Sequence, residues 1–210
     1  LKDEVSEIRV ATDHEGIRAA CQGFGAQVGM TASHHETGSD RLAEVVQQRG
    51  WADDTIVVNL QGDEPLTPLR NLQQLIANMQ RFQDVAIATL ATPITTWDEL
   101  HNPNIVKVVR TQTHHALYFS RAPIPMQRDG RDIPLESYAL RHVGMYAYRA
   151  GFLAAYPSLP AAQLEALEKL EQLRALANGF SIHVDIASQI PGSGVDTLAD
   201  AEQVVKLLNC

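Results

Sequence analysis

Positive charge is in short supply in this sequence. Its 17 lysines and arginines stand against 25 acidic residues, for a formal net charge of −8 at pH 7, and no long basic run appears. That balance argues against nucleic acid or an anionic membrane surface as the main partner. An anionic small substrate remains compatible, provided a local cationic site or a metal ion receives it. Cysteine is nearly absent as well. Cys21 and Cys210, one near each end, make neither a disulfide framework nor a zinc pattern, which points to a reducing compartment. No apolar run is long enough to span a bilayer and no secretory pattern opens the sequence, so the expectation is a soluble cytoplasmic domain. Aromatic residues make up only 6%, which leaves the core to aliphatic side chains within an ordinary 45% hydrophobic content.

What is present is an alternation of periods. Residues 8–12 read as a strand, about 15–24 as a helix and 26–31 as a strand. A helix then begins near Ser39, with Leu42, Ala43, Val45 and Val46 at helical spacing and Ser39 or Asp40 as N-cap. A buried strand at 56–60, an amphipathic helix at 68–81 and a strand within "DVAIATLATPI" follow. This predicts an α/β fold with a mostly parallel sheet in three layers. The middle changes character: "NIVKVVRT", "HHALYFSRAPIP" and "ALRHVGMYAYRAG" are strand-like, a β-rich excursion over about 104–148 that returns to the main sheet. "AAQLEALEKLEQLRALANG" predicts one long helix closed by Gly179, then "FSIHVDIA" a strand and "TLADAEQVVKLLN" a last helix. No repeat or linker divides the chain, so a single domain over 1–210 is expected.

The stretch "VVNLQGDEPLTP" ends a buried run in a glycine, two carboxylates and a proline. Gln61-Gly62 stops the strand, Pro65 prevents its continuation, and Asp63 and Glu64 therefore sit past its carboxyl end, where open α/β sheets bind ligands. Asp63 either turns the chain or is a hard-cation ligand of the kind Mg²⁺ prefers, with Gly62 allowing a nucleotide close to the backbone. In "PGSGVDTLADAEQ", Asp196 or Thr197 is a helix N-cap, or Asp196 is a second loop carboxylate. Two such carboxylates from distant parts of the chain can hold Mg²⁺ for phosphoryl or nucleotidyl transfer.

The predicted helix at 161–178 repeats leucine every third residue, at 164, 167, 170, 173 and 176, so its apolar face drifts round most of the circumference. Glu165, Glu168 and Gln172 fall on the remaining polar arc. Glu171 and Arg174 fall among the leucines, where they either pair with each other or face a polar pocket. In the excursion, Arg121, Arg141, His142, Tyr146 and Arg149 lie beside apolar strands; a guanidinium fork there suits a carboxylate, with Arg121 the strongest candidate. The pairs His34-His35 and His114-His115 lack metal-ligand spacing and read as surface or turn residues. No Walker loop and no Ser-His-Asp order is present.

Taken in order, "VATDHEGI", "HETGSDRLAEVV", "VVNLQGDEPL", "NPNIVKVV", "ALYFSRAPIP", "RHVGMYAYRAGF", "LEALEKLEQLRAL" and "PGSGVDTLADAEQV" resemble the 3-deoxy-manno-octulosonate (Kdo) cytidylyltransferases nearly end to end. The resemblance implies a Rossmann-like three-layer nucleotidyltransferase fold and a homodimer built through the β-rich excursion. It implies a Mg²⁺-dependent reaction of CTP with Kdo to give CMP-Kdo and pyrophosphate, for lipopolysaccharide synthesis in the cytoplasm. By motif position, Asp63 and Asp196 would be metal ligands and Arg121, His142, Tyr146, Glu171 and Gln172 would shape the Kdo site. Thr12, Asp13, Ser39, Arg41, Gln61 and Gly62 would lie near the nucleotide. The family's triphosphate-cradling strand and Gly-, Arg- and Lys-containing loop are expected to precede the first residue given. Two alternatives stand beside this reading: a cytidylyltransferase for another acid sugar (sialic acid or an amino-Kdo), and a non-catalytic dimerisation module.

Overall fold

The computed structural model describes residues 5–35, 37–129, 133–192, 194–195 and 197–208. Two compact units emerge, the first from the described residues of Leu1–Thr55 with Arg149–Pro160, the second from those of Ile56–Tyr148 with Ala161–Cys210.

In the first unit, strands β1 (Arg9–Thr12) and β2 (Gln27–Met30) pair in parallel, with Arg9 opposite Gln27 and Thr12 opposite Met30. A parallel pair needs a crossover, and helix α1 (Glu15–Gly23) supplies it. Helix α2 (Gly38–Arg49) is capped by Thr37, not by Ser39 or Asp40 as the sequence pattern suggested. Thr37 is extended, so its hydroxyl accepts from the Asp40 N–H at 3.1 Å and donates to the Asp40 carboxylate at 2.8 Å. Ser39 is already inside the helix and buried. Helix α5 (Ala150–Ala155), which the strand-like reading of the preceding residues did not foresee, lies against α2. Ala43, Val45 and Val46 of α2 and Phe152 and Leu153 of α5 are buried.

The second unit holds β3 (Ile56–Asn59), β4 (Ile87–Pro93), β5 (Lys107–Arg110), β6 (Ala116–Ser120), β7 (Leu140–Arg149) and β8 (Ile182–Ile186). They run in the order β6-β5-β7-β4-β8, with β3 also paired to β7. The β4–β8 pair is parallel, but β4–β7, β5–β7 and β5–β6 are antiparallel, so this sheet is mixed and the expected mostly parallel arrangement is corrected. The β-rich excursion causes it: β5 and β6 are joined by a turn too short for a parallel crossover, and the returning β7 enters between β5 and β4.

Helix α3 (Leu69–Arg81) shows what its spacing predicted. Leu72, Leu75 and Met79 pack on Val85, Ala88 and Leu90 around β4 and on Met145 and Ala147 of β7. Beside this face runs a polar stripe. Asn71 Nδ2 donates to the Gln189 carbonyl at 2.8 Å, and Gln74 Nε2 to the Ile186 carbonyl at 2.7 Å and the Asp185 carboxylate at 3.0 Å. The Ser188 and Gln189 N–H groups return bonds to Gln74 and Asn71. The chain leaving β8 is thereby tied to α3. A smaller cluster joins Ile94, Leu135 and Ala139 to Leu100 of α4 (Trp97–His101), whose cap is Thr96.

The expected long helix is two short ones, α6 (Gln163–Glu168) and α7 (Gln172–Ala177), separated at Lys169, which adopts φ 54° and ψ 48°. Arg174 reaches back across the break to Glu165 with two bonds of 2.8 Å, a fork-to-fork ion pair that holds the helices together. The break resets the helical phase. Leu164 and Leu167 end up exposed, while Glu165 and Gln172, expected on the outer arc, are buried. Beyond α7, Gly179 is left-handed, and the Gly179 and Phe180 N–H groups close onto the carbonyls of Leu176 and Ala175 at 3.0 Å each, the capping expected of Gly179. Helix α8 (Leu198–Leu208) is capped by Thr197, whose hydroxyl and N–H both engage Asp200. Asp196 lies outside the described residues. Among the described residues no helix is long and apolar enough to cross a membrane.

Candidate active site

Asp63 sits where the sequence placed it, past the end of β3. Two successive turns shape its loop: the Glu64 N–H donates to the Gln61 carbonyl at 3.2 Å and the Thr67 N–H to the Glu64 carbonyl at 3.3 Å. Gln61, Gly62 and Asp63 are exposed, and Glu64 is half-buried. The loop after β8 lies on this turn, with the Val195 N–H donating to the Asp63 carbonyl at 2.7 Å. A Cβ on Gly192 would come within 2.7 Å of Leu66, and one on Gly194 within 3.3 Å of the Asp63 carbonyl, so the close approach depends on both glycines. By contrast, a Cβ on Gly62 would meet nothing within 4 Å, so packing sets no requirement for glycine there.

Arg121 is at the opposite extreme of constraint. It follows β6 directly, and its backbone N–H donates to the Glu168 carboxylate at 2.9 Å. Its Nε donates to the Glu168 carbonyl at 2.7 Å and its Nη1 to the Pro103 carbonyl at 3.0 Å. Its own carbonyl accepts from Lys107 Nζ at 2.6 Å. Lys107 is fully buried and also donates to the carbonyls of Asn102 at 3.0 Å and Ile105 at 2.6 Å. Burial pulls its ammonium below the usual lysine range, and the Glu168 charge opposes that pull. The Glu168 carboxylate further accepts from the Ser120 hydroxyl at 2.6 Å and the Tyr118 hydroxyl at 3.4 Å. Burial pushes this carboxylate up, yet the bonds from Ser120, the Arg121 amide and Tyr118 outweigh it and hold the group below its ordinary value. Helix α7, which carries Gln172 and follows Glu171, packs against β6; Gln172 is buried and Glu171 half-buried.

His142 lies on β7, with its ring edge-on to Phe119 of β6 at 5.0 Å and 5.3 Å from the Tyr146 ring. The structure thus brings His142 and Tyr146 together. Between them the β4–β7 ladder is irregular: Thr89 stands opposite Tyr146 but Leu90 opposite Val143, leaving Gly144 and Met145 as a bulge. The Thr89 hydroxyl donates to the Met145 carbonyl at 2.7 Å and lies 3.0 Å from His142 Nε2. A hydroxyl has one proton, so the proton on the second contact belongs to Nε2, and His142 is the Nε2–H tautomer with Nδ1 as an acceptor. Burial drives the imidazole down to about 3, so it is neutral at physiological pH. His142 therefore offers a ligand a neutral hydrogen-bonding group rather than a positive charge.

In the first unit, Thr12 ends β1; its hydroxyl accepts from the His14 N–H at 3.1 Å and its carbonyl from the Thr31 N–H at 3.0 Å. Arg41 pairs with Asp13 at 3.4 Å and also bonds the Thr31 hydroxyl. Thr12, Asp13 and Arg41 thus gather at the carboxyl edge of two parallel strands beside the start of α2, near buried Ser39.

A family profile described as cytidylyltransferase matches residues 1–186. A 3-deoxy-manno-octulosonate cytidylyltransferase of Thioalkalivibrio sulfidiphilus (strain HL-EbGR7) is 53% identical over 205 residues, spanning 96% of this chain and 82% of the relative. The chain belongs to the 3-deoxy-manno-octulosonate cytidylyltransferase family. An Alkalilimnicola ehrlichii relative of the same name is 52% identical over 208 residues, covering 97% of this chain and 80% of its own. The structure of CMP:2-keto-3-deoxy-manno-octonic acid synthetase complexed with CTP is 41% identical and superimposes with a TM-score of 0.87, covering 98% of this chain and 81% of the other. The nucleotidyltransferase fold expected from the motifs is therefore present.

Sequence reasoning missed Glu168, Lys107 and Thr89, the residues that hold Arg121 and His142. A signal was there for two of them: a lysine inside "NIVKVV" and a threonine inside "AIATLAT" are polar groups in apolar strand runs, which must find partners when buried.

Proposed function

We propose that this chain carries out the reaction its relatives are named for, joining CMP from CTP to Kdo with release of pyrophosphate. A hydroxyl oxygen of the sugar gives up its proton to solvent and bonds to the α-phosphorus, the bond from that phosphorus to the β-phosphate bridge breaks, and pyrophosphate departs with that bond's electron pair. The identity of over 50% across nearly the whole chain carries this reading. Neither alternative, another acid sugar or a non-catalytic module, is favoured by those relatives.

Arg121 would receive the sugar carboxylate, since a guanidinium is fixed there with part of its fork unused. His142 and Tyr146, with Glu171 and Gln172, would contact the rest of the sugar. Thr12, Asp13, Ser39, Arg41, Gln61 and Gly62 are read as nucleotide-binding. Asp63, together with Asp196, would hold Mg²⁺. An exposed carboxylate on a tightly bonded turn fits a hard cation. Mg²⁺ would take waters and substrate phosphates as its other ligands. When bound, the ion would neutralise phosphate charge. A cytoplasmic homodimer completes the reading; exposed Leu117, Met126 and Ile133 on the β-rich stretch support a covered surface there.

Pyrophosphate release, measured with CTP and Mg²⁺ against Kdo, an amino-Kdo, sialic acid and no sugar, tests this directly. Release with Kdo well above the other arms is expected. Equal or greater release with another acid sugar, or none with Kdo, would overturn it. Sedimentation of the same preparation as a monomer would remove the dimer.

A further inference from the structure

We infer that Glu168 is a positioning residue for Arg121, holding its guanidinium in place while leaving the Nη2 donors open to the substrate carboxylate; the inference rests on the functional reading given above. A carboxylate beside an arginine ordinarily forms a two-pronged ion pair, as Glu165 does with Arg174. Glu168 does not. Its two oxygens are taken by the hydroxyls of Ser120 and Tyr118 and by the backbone N–H of Arg121. The guanidinium instead meets two neutral carbonyls, those of Glu168 and Pro103. The Glu168 carbonyl stands at the carboxyl end of α6, where helix carbonyls lack intrahelical donors, so Nε fills a vacancy that the helix creates. One residue therefore grips Arg121 twice, by amide and by side chain, without a hydrogen-bonded ion pair, while the nearby Arg121 charge helps to hold the Glu168 carboxyl below its ordinary value.

The charge balance agrees. The Glu168 anion lies close enough to the buried Lys107 ammonium to favour its charged form, and Lys107 in turn fixes the Arg121 carbonyl. The Glu168 charge thus faces two cations, Lys107 and Arg121, and Arg121 keeps donors on Nη2 that bond nothing among the described residues. That arrangement suits an incoming carboxylate, because a pre-fixed fork loses little conformational freedom on binding.

Steady-state kinetics on Glu168→Gln distinguish this from a merely structural role. The expected result is a KM for Kdo raised about tenfold, with KM for CTP and kcat nearly unchanged, since one charge-assisted bond is weakened. In an Arg121→Ala background the same substitution should add nothing further. An equal rise in KM for CTP, a lowered melting temperature with unchanged KM, or a full tenfold effect persisting in the Arg121→Ala background would overturn the inference. If the wild-type chain releases no pyrophosphate with Kdo, the functional reading falls, and the grip is judged without substrate. Hydrogen exchange at the Arg121 amide should then be about tenfold or more faster in Glu168→Ala than in wild type, because that carboxylate is its acceptor. Equal exchange rates would overturn the inference.

Discussion

Arg121 and Asp63 belong to the same unit, carry opposite charges and are held in opposite ways. Both faces of the Arg121 peptide and two of its guanidinium nitrogens are bonded to protein. Among the described residues, Asp63 is fixed only through its carbonyl and the turns around it, and its residue is exposed. The contrast follows from what each would receive. A fork that recognises one carboxylate gains from being rigid beforehand, since ordering a long side chain costs about 1.5–2 kcal/mol. A carboxylate awaiting a cation is better left hydrated, because burying it unpaired would cost several kcal/mol.

The largest expected effect breaks the comparison on the Asp63 side. In Asp63→Asn, pyrophosphate release should fall by about three orders of magnitude or more, because the amide keeps the shape but not the charge that binds Mg²⁺. Stability to urea should change by less than about 0.5 kcal/mol, as for other exposed positions. A mutant that unfolds would show Asp63 to be structural, and the contrast would collapse. On the other side, Lys107→Met keeps the volume but leaves three carbonyls without their donor, and at about 1 kcal/mol each the loss should approach 3 kcal/mol in urea denaturation. An unchanged midpoint would mean that these bonds contribute nothing net.

The buried side also has a pH signature. Burial lowers His142 to about 3 and His183 to about 4, the latter opposed by Asp185 and reinforced by His114, His115 and Arg110. His183 is buried against Phe82, and neither of its ring nitrogens has a hydrogen-bond partner among the described residues. Both rings stay neutral in the fold, whereas in the unfolded chain they take up protons near 6.5. Their contribution is therefore complete above about pH 6.5 and is lost as pH falls towards 4, at no more than about 2.7 kcal/mol per pH unit for two protons. Urea midpoints at pH 7.5, 6 and 5 measure it, and His183→Phe should roughly halve the loss between pH 6 and 5. An unaltered slope in that variant would show that His183 is accessible to protons in the fold.

Much of the fold was legible because period and burial agreed. Helix α3, strand β4 and the Gly179 cap lie where residue spacing places them. The double helix at 163–177 was not legible, since "EKLEQ" contains neither glycine nor proline to announce a left-handed lysine. The tertiary pair Glu165–Arg174 sustains that break, and no local propensity records it. The candidate site divides in the same way. Arg121 and His142 could be picked out by chemical type and surroundings. The neutrality of His142 could not, because it depends on Thr89, Phe119 and Tyr146 closing round it from three strand segments.

The bulge in β7 has a consequence for how this segment can change length. It adds an even number of residues, Gly144 and Met145, between Val143 and Tyr146. Strand side chains alternate faces with a period of two, so the alternation on either side of the bulge stays in step. Loss of one of these residues would leave a one-residue bulge, in which Tyr146 can still stand opposite Thr89 and on the same face as His142. Loss of both would leave the two side chains on one face, but would take away the nearer of the two carbonyls that the Thr89 hydroxyl bonds, leaving that of Val143 at 3.2 Å. The shared face of His142 and Tyr146 is therefore set by their partners Ala91 and Thr89 on β4, and the bulge is where this segment can absorb a change of length.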